Sequence, residues 1–264
     1  GILRADSNGV VEEYMEKPVM DQDISHMKME SIRQGGRNKS VRREYLASMG
    51  IYIYNAGVLE KSLDNSMTDF AKEILPCCID KIKVHTYPFY GYWADIGSIR
   101  SFYEANINLA SIKPNFNFYN EQKPIYTRRR DLPASKINFC TTGQSLTADG
   151  CIITNATIMS SIVGIRSVIE SDTHLESVVC MGADYYETSE QKRRNRAENI
   201  PDIGIGRGTA VKRAIIDKNA RIGEGCRIGI DDVLREDGDF GDYFIKDNII
   251  VIPKNVVIPP GTLI

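Results

Sequence analysis

The stretch from Ile203 to Ile228, IGIGRGTAVKRAIIDKNARIGEGCRI, decides how this chain folds. Its large aliphatics fall at Ile205, Val211, Ile216, Ile222 and Ile228, at intervals of six, five, six and six. That period is neither the ~3.6 of a helix nor the ~2 of a half-buried strand. It is the beat of a hexapeptide repeat, in which each short strand sends one aliphatic side chain inward and then turns a corner. Gly206, Gly208, Gly223 and Gly225 punctuate it where corners are needed. The beat returns at Ile252, Ile258 and Ile264, and more loosely at Ile153, Val163, Ile169 and Leu175. Residues 146–264 are therefore expected to form a parallel β-helix. The segments 183–202 and 231–247 interrupt it as loops; the charged run Glu187 to Asn199 has no aliphatic period. Gly204-x-Gly206-x-Gly208 faintly resembles a dinucleotide loop, but such a loop should open a helix after a strand. Val211 to Arg221 has no helical face, so these glycines read as repeat corners.

Upstream of the repeats the pattern changes. Gly1 to Ala5 and Val10 to Met15 are short extended runs around Asn8-Gly9, a strong hairpin signal. Pro18 stops regular pairing and sets Lys17 at a strand end. Met20 to Glu44 is polar and basic, with Arg33, Arg37, Lys39, Arg42 and Arg43, and reads as a mobile excursion. Leu46 to Tyr54 reads as a strand buried on both faces. A helix capped by Asn55 and carrying Val58, Leu59 and Leu63 follows. A second helix, from Thr68-Asp69, is expected to close near Pro76. Ile82 to Tyr87 reads as another strand, Gly91 to Gly97 as a tight turn. Ser98 then caps a helix with the face Ile99, Phe102, Tyr103, Leu109 and Ala110. Alternating strands and helices make residues 1–110 part of an α/β sheet domain. Residues 111–145, with Pro114, Pro124, Pro133 and the cluster Arg128-Arg129-Arg130, read as a connector.

Composition narrows the function classes. The 264 residues suit two domains, and a net charge of −2 gives no reason to expect nucleic acid or an acidic membrane as partner. No apolar run approaches the ~20 residues of a membrane span. The six cysteines match no zinc spacing; Cys151, Cys180 and Cys226 read as small buried thiols of a reduced, cytosolic or plastidial protein. His26, His85 and His174 are scattered and read as structural.

Lys17, Ser48 and Asp95 stand at or near strand ends, where ligands gather in open α/β sheets. A lysine there can hold a phosphate as a point charge, and an aspartate can hold Mg²⁺ against phosphates. Taken together, Tyr14-Met15-Glu16-Lys17-Pro18, Ala47-Ser48-Met49-Gly50-Ile51-Tyr52, Asp69-Phe70 and Gly91-Tyr92-Trp93-Ala94-Asp95-Ile96-Gly97 resemble the sugar half of ADP-glucose pyrophosphorylase. Pro124-Ile125-Tyr126-Thr127, Leu132-Pro133, Met181 to Glu187 and Lys212 to Asn219 are similar to it as well, most closely to its plant and cyanobacterial branch.

The resemblance implies a partial Rossmann-like nucleotidyltransferase sheet followed by a left-handed parallel β-helix. It also implies adenylyl transfer from ATP to glucose 1-phosphate, giving ADP-glucose for starch or glycogen. By motif, Lys17 would bind the sugar phosphate, Glu16 and Ser48 the sugar hydroxyls, and Asp95 a Mg²⁺ shared with a second aspartate. Arg130, Lys218 and Lys254 would take a phosphorylated-metabolite or phosphate effector. Tetramers, homo- or heteromeric, are expected. Ala94 departs from the family pattern, which usually has a charged residue there. The Gly-rich nucleotide loop belongs to an N-terminal half that the sequence from Gly1 lacks, so the chain alone is expected not to turn over. Two other readings stay open: a sugar-1-phosphate nucleotidyltransferase of different specificity, and a non-catalytic regulatory or scaffold subunit. A hexapeptide acyltransferase is a weaker third, since His174 is the only histidine in the repeats.

Overall fold

A computed structural model describes residues 1–19, 22–29, 45–231 and 234–264, which form two compact units, 1–93 and 94–264. The basic excursion expected over 20–44 lies outside the described residues except for 22–29, where Ser25–Met27 form one 3₁₀ turn that buries Met27.

The first unit is built on a three-stranded sheet of order β2-β1-β3, from β1 (Ile2–Ala5), β2 (Val11–Met15) and β3 (Leu46–Ala47). The hairpin forms where Asn8-Gly9 predicts it. Gly9 takes φ +80°, and Asp6 Oδ1 accepts the N–H groups of Asn8 and Val10 at 2.9 and 2.8 Å. The long strand expected over Leu46 to Tyr54 does not form. Pairing ends at Ala47, Gly50 turns away at φ +69°, and Ile53 is 99% exposed. Nor does a strand run over Ile82 to Tyr87. That segment makes one bridge, Val10↔His85, because it meets the hairpin only at its turned end, by the bonds Val11 N–H to Val84 O and Thr86 N–H to Gly9 O.

Helix α1 (Ala56–Leu63) forms after Asn55, although the Asn55 side chain makes no capping bond. Asp69 caps the next helix through the N–H groups of Ala71 and Lys72 at 3.0 and 2.9 Å. It does not close at Pro76. A wide π turn, Phe70–Ile74, leads into α2 (Leu75–Ile79), which carries Pro76 in its first turn. Because the helix runs on from the π turn, Pro76 leaves one bond of the ladder unmade directly after the wide turn.

The second unit is the parallel β-helix. Its ladder starts at Lys136–Asn138, paired with Ile152–Thr154, earlier in the chain than the repeat shows at Leu146. Three aliphatic stacks fill the coil. Ile153, Ile169, Ile205, Ile222 and Ile258 are successive partners on one side. Ile158, Leu175, Val211 and Ile228 line the second. Val163, Cys180, Ile216 and Ile252 line the third. The alternating intervals of the sequence are therefore steps from side to side of a three-sided coil. All of these side chains are buried. Each Ile, Leu and Val among them contributes about 1.5–3 kcal/mol relative to an exposed position. Gly206 and Gly208 are corners, as expected, whereas Gly204 opens the strand Gly204–Ile205 and pairs with Arg221. A Cβ on Gly206 would stand 2.6 Å from the Glu224 nitrogen on the coil above.

Two elements interrupt or flank the coil. Within 183–202, expected as a loop, Ser189–Ala197 form a helix opened by a Thr188–Gln191 capping box. It has no aliphatic stripe, and polar bonds seat it instead. Asn195 Nδ2 donates to Glu187 Oε1 and to Asp202 Oδ1, each at 2.8 Å, and Lys192 reaches Asp202 at 3.5 Å. Helix α3 (Ile99–Leu109) forms as predicted, with Ser98 capping through the Ser101 N–H at 3.1 Å. Its Tyr103 packs on Val179, Ile215 and Ile249 and donates its hydroxyl to Ser177 O at 2.7 Å. In the second interruption Gly238–Asp239 and Phe244–Lys246 pair as a hairpin that extends the sheet beside Ile249–Ile252.

Candidate functional site

In the first unit β1 runs antiparallel to both neighbours, and Ile2 is opposite Met15 on one side and Ala47 on the other. β2 and β3 therefore run the same way and end at the same edge. Glu16 and Lys17 leave one strand there, Ser48 the other. Lys17 takes φ +43°, the only non-glycine residue with positive φ among the described residues of this unit. Pro18 bars the right-handed helical region to the residue before it. The left-handed backbone turns the chain sharply at the strand end, with the Lys17 side chain exposed.

Tyrosines that sequence motifs quote without a role hold this edge together. Tyr14 donates a short hydrogen bond to Glu16 Oε2. Burial pushes the Tyr14 hydroxyl above its ordinary pKa, and its bonds to Glu16 and the neighbouring Tyr52 push it the same way. The Tyr14 bond is also the main reason the Glu16 carboxyl titrates below its usual range, so at neutral pH this pair is a carboxylate facing a neutral phenol. Ser48 Oγ lies 3.2 Å from the Tyr52 hydroxyl and accepts the Gly50 N–H at 3.3 Å. Phe70, placed by its Asp69 cap, packs on Tyr52 with ring centroids 5.1 Å apart. The edge thus presents a carboxylate, a serine hydroxyl and an exposed ammonium. Those groups suit a phosphorylated polyol in their chemistry: a carboxylate can accept from hydroxyls, and an ammonium can pair with a phosphate.

Asp95 stands at the start of the second unit, next to Ala94. Its Oδ1 accepts the Gly97 N–H at 2.8 Å, and the carboxylate is exposed. Among the described residues no group of three or more His, Cys, Asp or Glu side chains could hold a metal. An exposed single carboxylate is a fitting ligand for Mg²⁺, which keeps several waters and takes phosphate oxygens alongside one or two carboxylates.

Lys218 and Lys254, distant in sequence, converge. They stand at one corner of the coil, stacked through the bond from Asn255 N–H to Lys218 O. Both reach Asp184, with Lys218 Nζ 3.0 Å from Oδ1 and Lys254 Nζ 2.7 Å from Oδ2. Asn219 Nδ2 donates to Oδ2 at 3.2 Å. Lys254 and then Lys218 hold the Asp184 carboxyl far below the usual carboxylate range. Arg130 is exposed on the segment entering the coil, its guanidinium 3.4 Å from Arg128 O, and makes no contact with either lysine among the described residues. Glu187, unassigned by sequence beyond its motif, has a side chain only 2% exposed and meets Arg221 at 2.7 Å. The three histidines stay apart, and Cys151, Cys180 and Cys226 are buried free thiols. Among the described residues no helix is long and apolar enough to cross a membrane.

Residues 130–263 match the family model of the GLGC left-handed parallel beta-helix domain. Residues 1–112 match that of the nucleotidyl transferase domain.

Proposed function

The chain belongs to the family of the GLGC left-handed parallel beta-helix domain, and on that premise we propose that it serves adenylyl transfer from ATP to glucose 1-phosphate, giving ADP-glucose and pyrophosphate. A nucleotidyl transferase region followed by this β-helix is the architecture of ADP-glucose pyrophosphorylase. The observation that supports the substrate side of the reading is the shared edge of β2 and β3, with Glu16, Lys17 and Ser48 grouped on it.

In this reading Lys17 neutralises the phosphate of glucose 1-phosphate. Glu16, kept ionised by Tyr14, and Ser48, steadied by Tyr52, accept from or donate to sugar hydroxyls. The sugar phosphate oxygen attacks the α-phosphorus of ATP and pyrophosphate leaves. Such a transfer asks a protein for position and charge neutralisation rather than a nucleophile of its own. Mg²⁺ would supply charge neutralisation at the phosphates, with Asp95 as one ligand. Lys218 and Lys254 form the anion-receptive point for a phosphorylated effector, with Arg130 as a further cation. The assembly is a tetramer.

Release of pyrophosphate by the full-length protein with glucose 1-phosphate, compared across ATP, UTP and GTP, tests the reading. ATP should be preferred and Lys17→Ala should weaken sugar phosphate use. A preference for UTP or GTP would reassign the specificity within the sugar-1-phosphate nucleotidyltransferases. Absence of any turnover would favour a regulatory subunit.

A further inference from the structure

Two corners of the coil, Ser177 and Arg213, lie in the left-handed region at φ +55° and +53°. They are stacked: His174–Cys180 and Ala210–Ile216 pair from His174↔Ala210 to Cys180↔Ile216 with Ser177 and Arg213 as the unpaired step. Asn155, Asp172, Asn219 and Asn255 occupy similar corners, and their short polar side chains tolerate that backbone. An arginine there is strained, but Phe139, Gln144 and Ser160 share the left-handed region, so the backbone alone does not give a side chain its task. Arg166, the other corner arginine, has a structural one, lying over the Tyr186 ring and reaching Ala183 O at 3.4 Å. Arg213 has none. It is exposed and forms no ion pair or hydrogen bond among the described residues.

Beside Arg213 opens a cavity of about 250 Å³, bordered also by Tyr103, Ser177, Lys212, Arg235 and Asn248. The Tyr103 hydroxyl is spent on Ser177 O. Lys212 lies 3.6 Å from Glu176, and Arg235 is paired with Asp231, so these rim cations are engaged. Asn248 Oδ1 accepts the Arg235 N–H at 3.2 Å, which leaves its amide NH₂ as a donor. The Arg213 guanidinium, the Asn248 NH₂ and the Ser177 hydroxyl are thus donors bordering one cavity with no partner among the described residues.

We propose that this cavity binds the phosphate group of a small phosphorylated metabolite. Arg213 is its bidentate ligand, with Asn248 and Ser177 as neutral donors. The site is separate from the Asp184 cluster, since neither Lys218 nor Lys254 borders the cavity. A ligand seated here touches Tyr103 and so braces α3, the helix that begins directly after the Asp95 turn.

The test is calorimetric titration of inorganic phosphate into the full-length protein carrying Lys218→Ala and Lys254→Ala, with and without Arg213→Gln. Binding should persist in the double variant and weaken about tenfold or more on adding Arg213→Gln, with Arg213→Lys in between. No binding in the double variant, or binding that Arg213→Gln leaves unchanged, overturns the proposal. Hydrogen exchange on the otherwise native protein gives a second measure. Phosphate should slow exchange of the α3 amides, and Arg213→Gln should remove that protection; equal protection in both proteins also overturns it.

Discussion

Lys254 places its ammonium 2.7 Å from the carboxylate of Asp184, two positions that the chain keeps 70 residues apart and the coil brings to one corner. Lys218 shares the same carboxylate, so an anion arriving at the two lysines must compete with Asp184. Replacing Asp184 with Asn should raise the affinity for inorganic phosphate several-fold, as read by titration. The cost to stability should be small, about 0–1 kcal/mol, because such partly exposed pairs contribute little. A loss of phosphate affinity in the variant would mean that Asp184 positions the lysines rather than competing for them.

The same carboxyl sets a pH dependence. Its folded pKa is depressed, so its contribution to stability is fully present above the ordinary carboxylate value near 3.8 and is lost as pH falls below it. The melting temperature of the native protein should therefore fall more steeply below about pH 4 than that of Asp184→Asn. Parallel acid profiles for the two proteins would remove Asp184 from the account.

Glu187, its side chain buried, pairs with the part-buried Arg221, and its other bonds seat the inserted helix and the chain after it, including Ile203 N–H to Glu187 Oε2 at 2.6 Å. Glu187→Ala leaves the Arg221 guanidinium only its bond to Pro201 O and the Ile203 N–H without its acceptor, and should cost about 3–5 kcal/mol in denaturant unfolding. Adding Arg221→Ala should cost less than the sum of the single changes, because the two residues share one interaction.

Lys17 offers a separation of stability from function. Glycine adopts its left-handed backbone without strain, so Lys17→Gly should leave stability unchanged or raise it by up to about 1 kcal/mol. The same change should raise the KM for glucose 1-phosphate at least tenfold. A variant that binds the sugar phosphate normally would take Lys17 out of the site.

Tyr14→Phe removes the main donor to the Glu16 carboxylate, so the Glu16 pKa should rise toward the ordinary value. The acid limb of the activity profile should move to higher pH with it. An unmoved limb would show that Glu16 ionisation does not limit the reaction.

Much of the second unit was legible because a β-helix writes its geometry into one period. Ile205, Val211, Ile216, Ile222 and Ile228 point inward by their spacing alone, and all five are buried. Asn8-Gly9 and Ser98 likewise act locally, through turn chemistry and a cap, and their elements formed where expected. The sequence misjudged Leu46 to Tyr54 and Ile82 to Tyr87, since apolar content marks a strand only where a neighbour supplies a ladder. It also passed over the helix at Ser189–Ala197, which has no apolar stripe and depends on bonds to Glu187 and Asp202.

The sequence by itself determined the repeat, the hairpin and the residue types at the strand ends, because each rests on neighbours a few positions away. Only the tertiary structure decided which distant groups meet. Pairing of β1 with both neighbours sets Glu16 and Ser48 at one edge, and the stacking of coils brings Lys218 and Lys254 onto Asp184. Seating α3 on the coil lines one cavity with Tyr103 and Arg213. Such meetings follow from strand register and coil stacking, which join residues far apart in the chain and leave no local signal in the sequence.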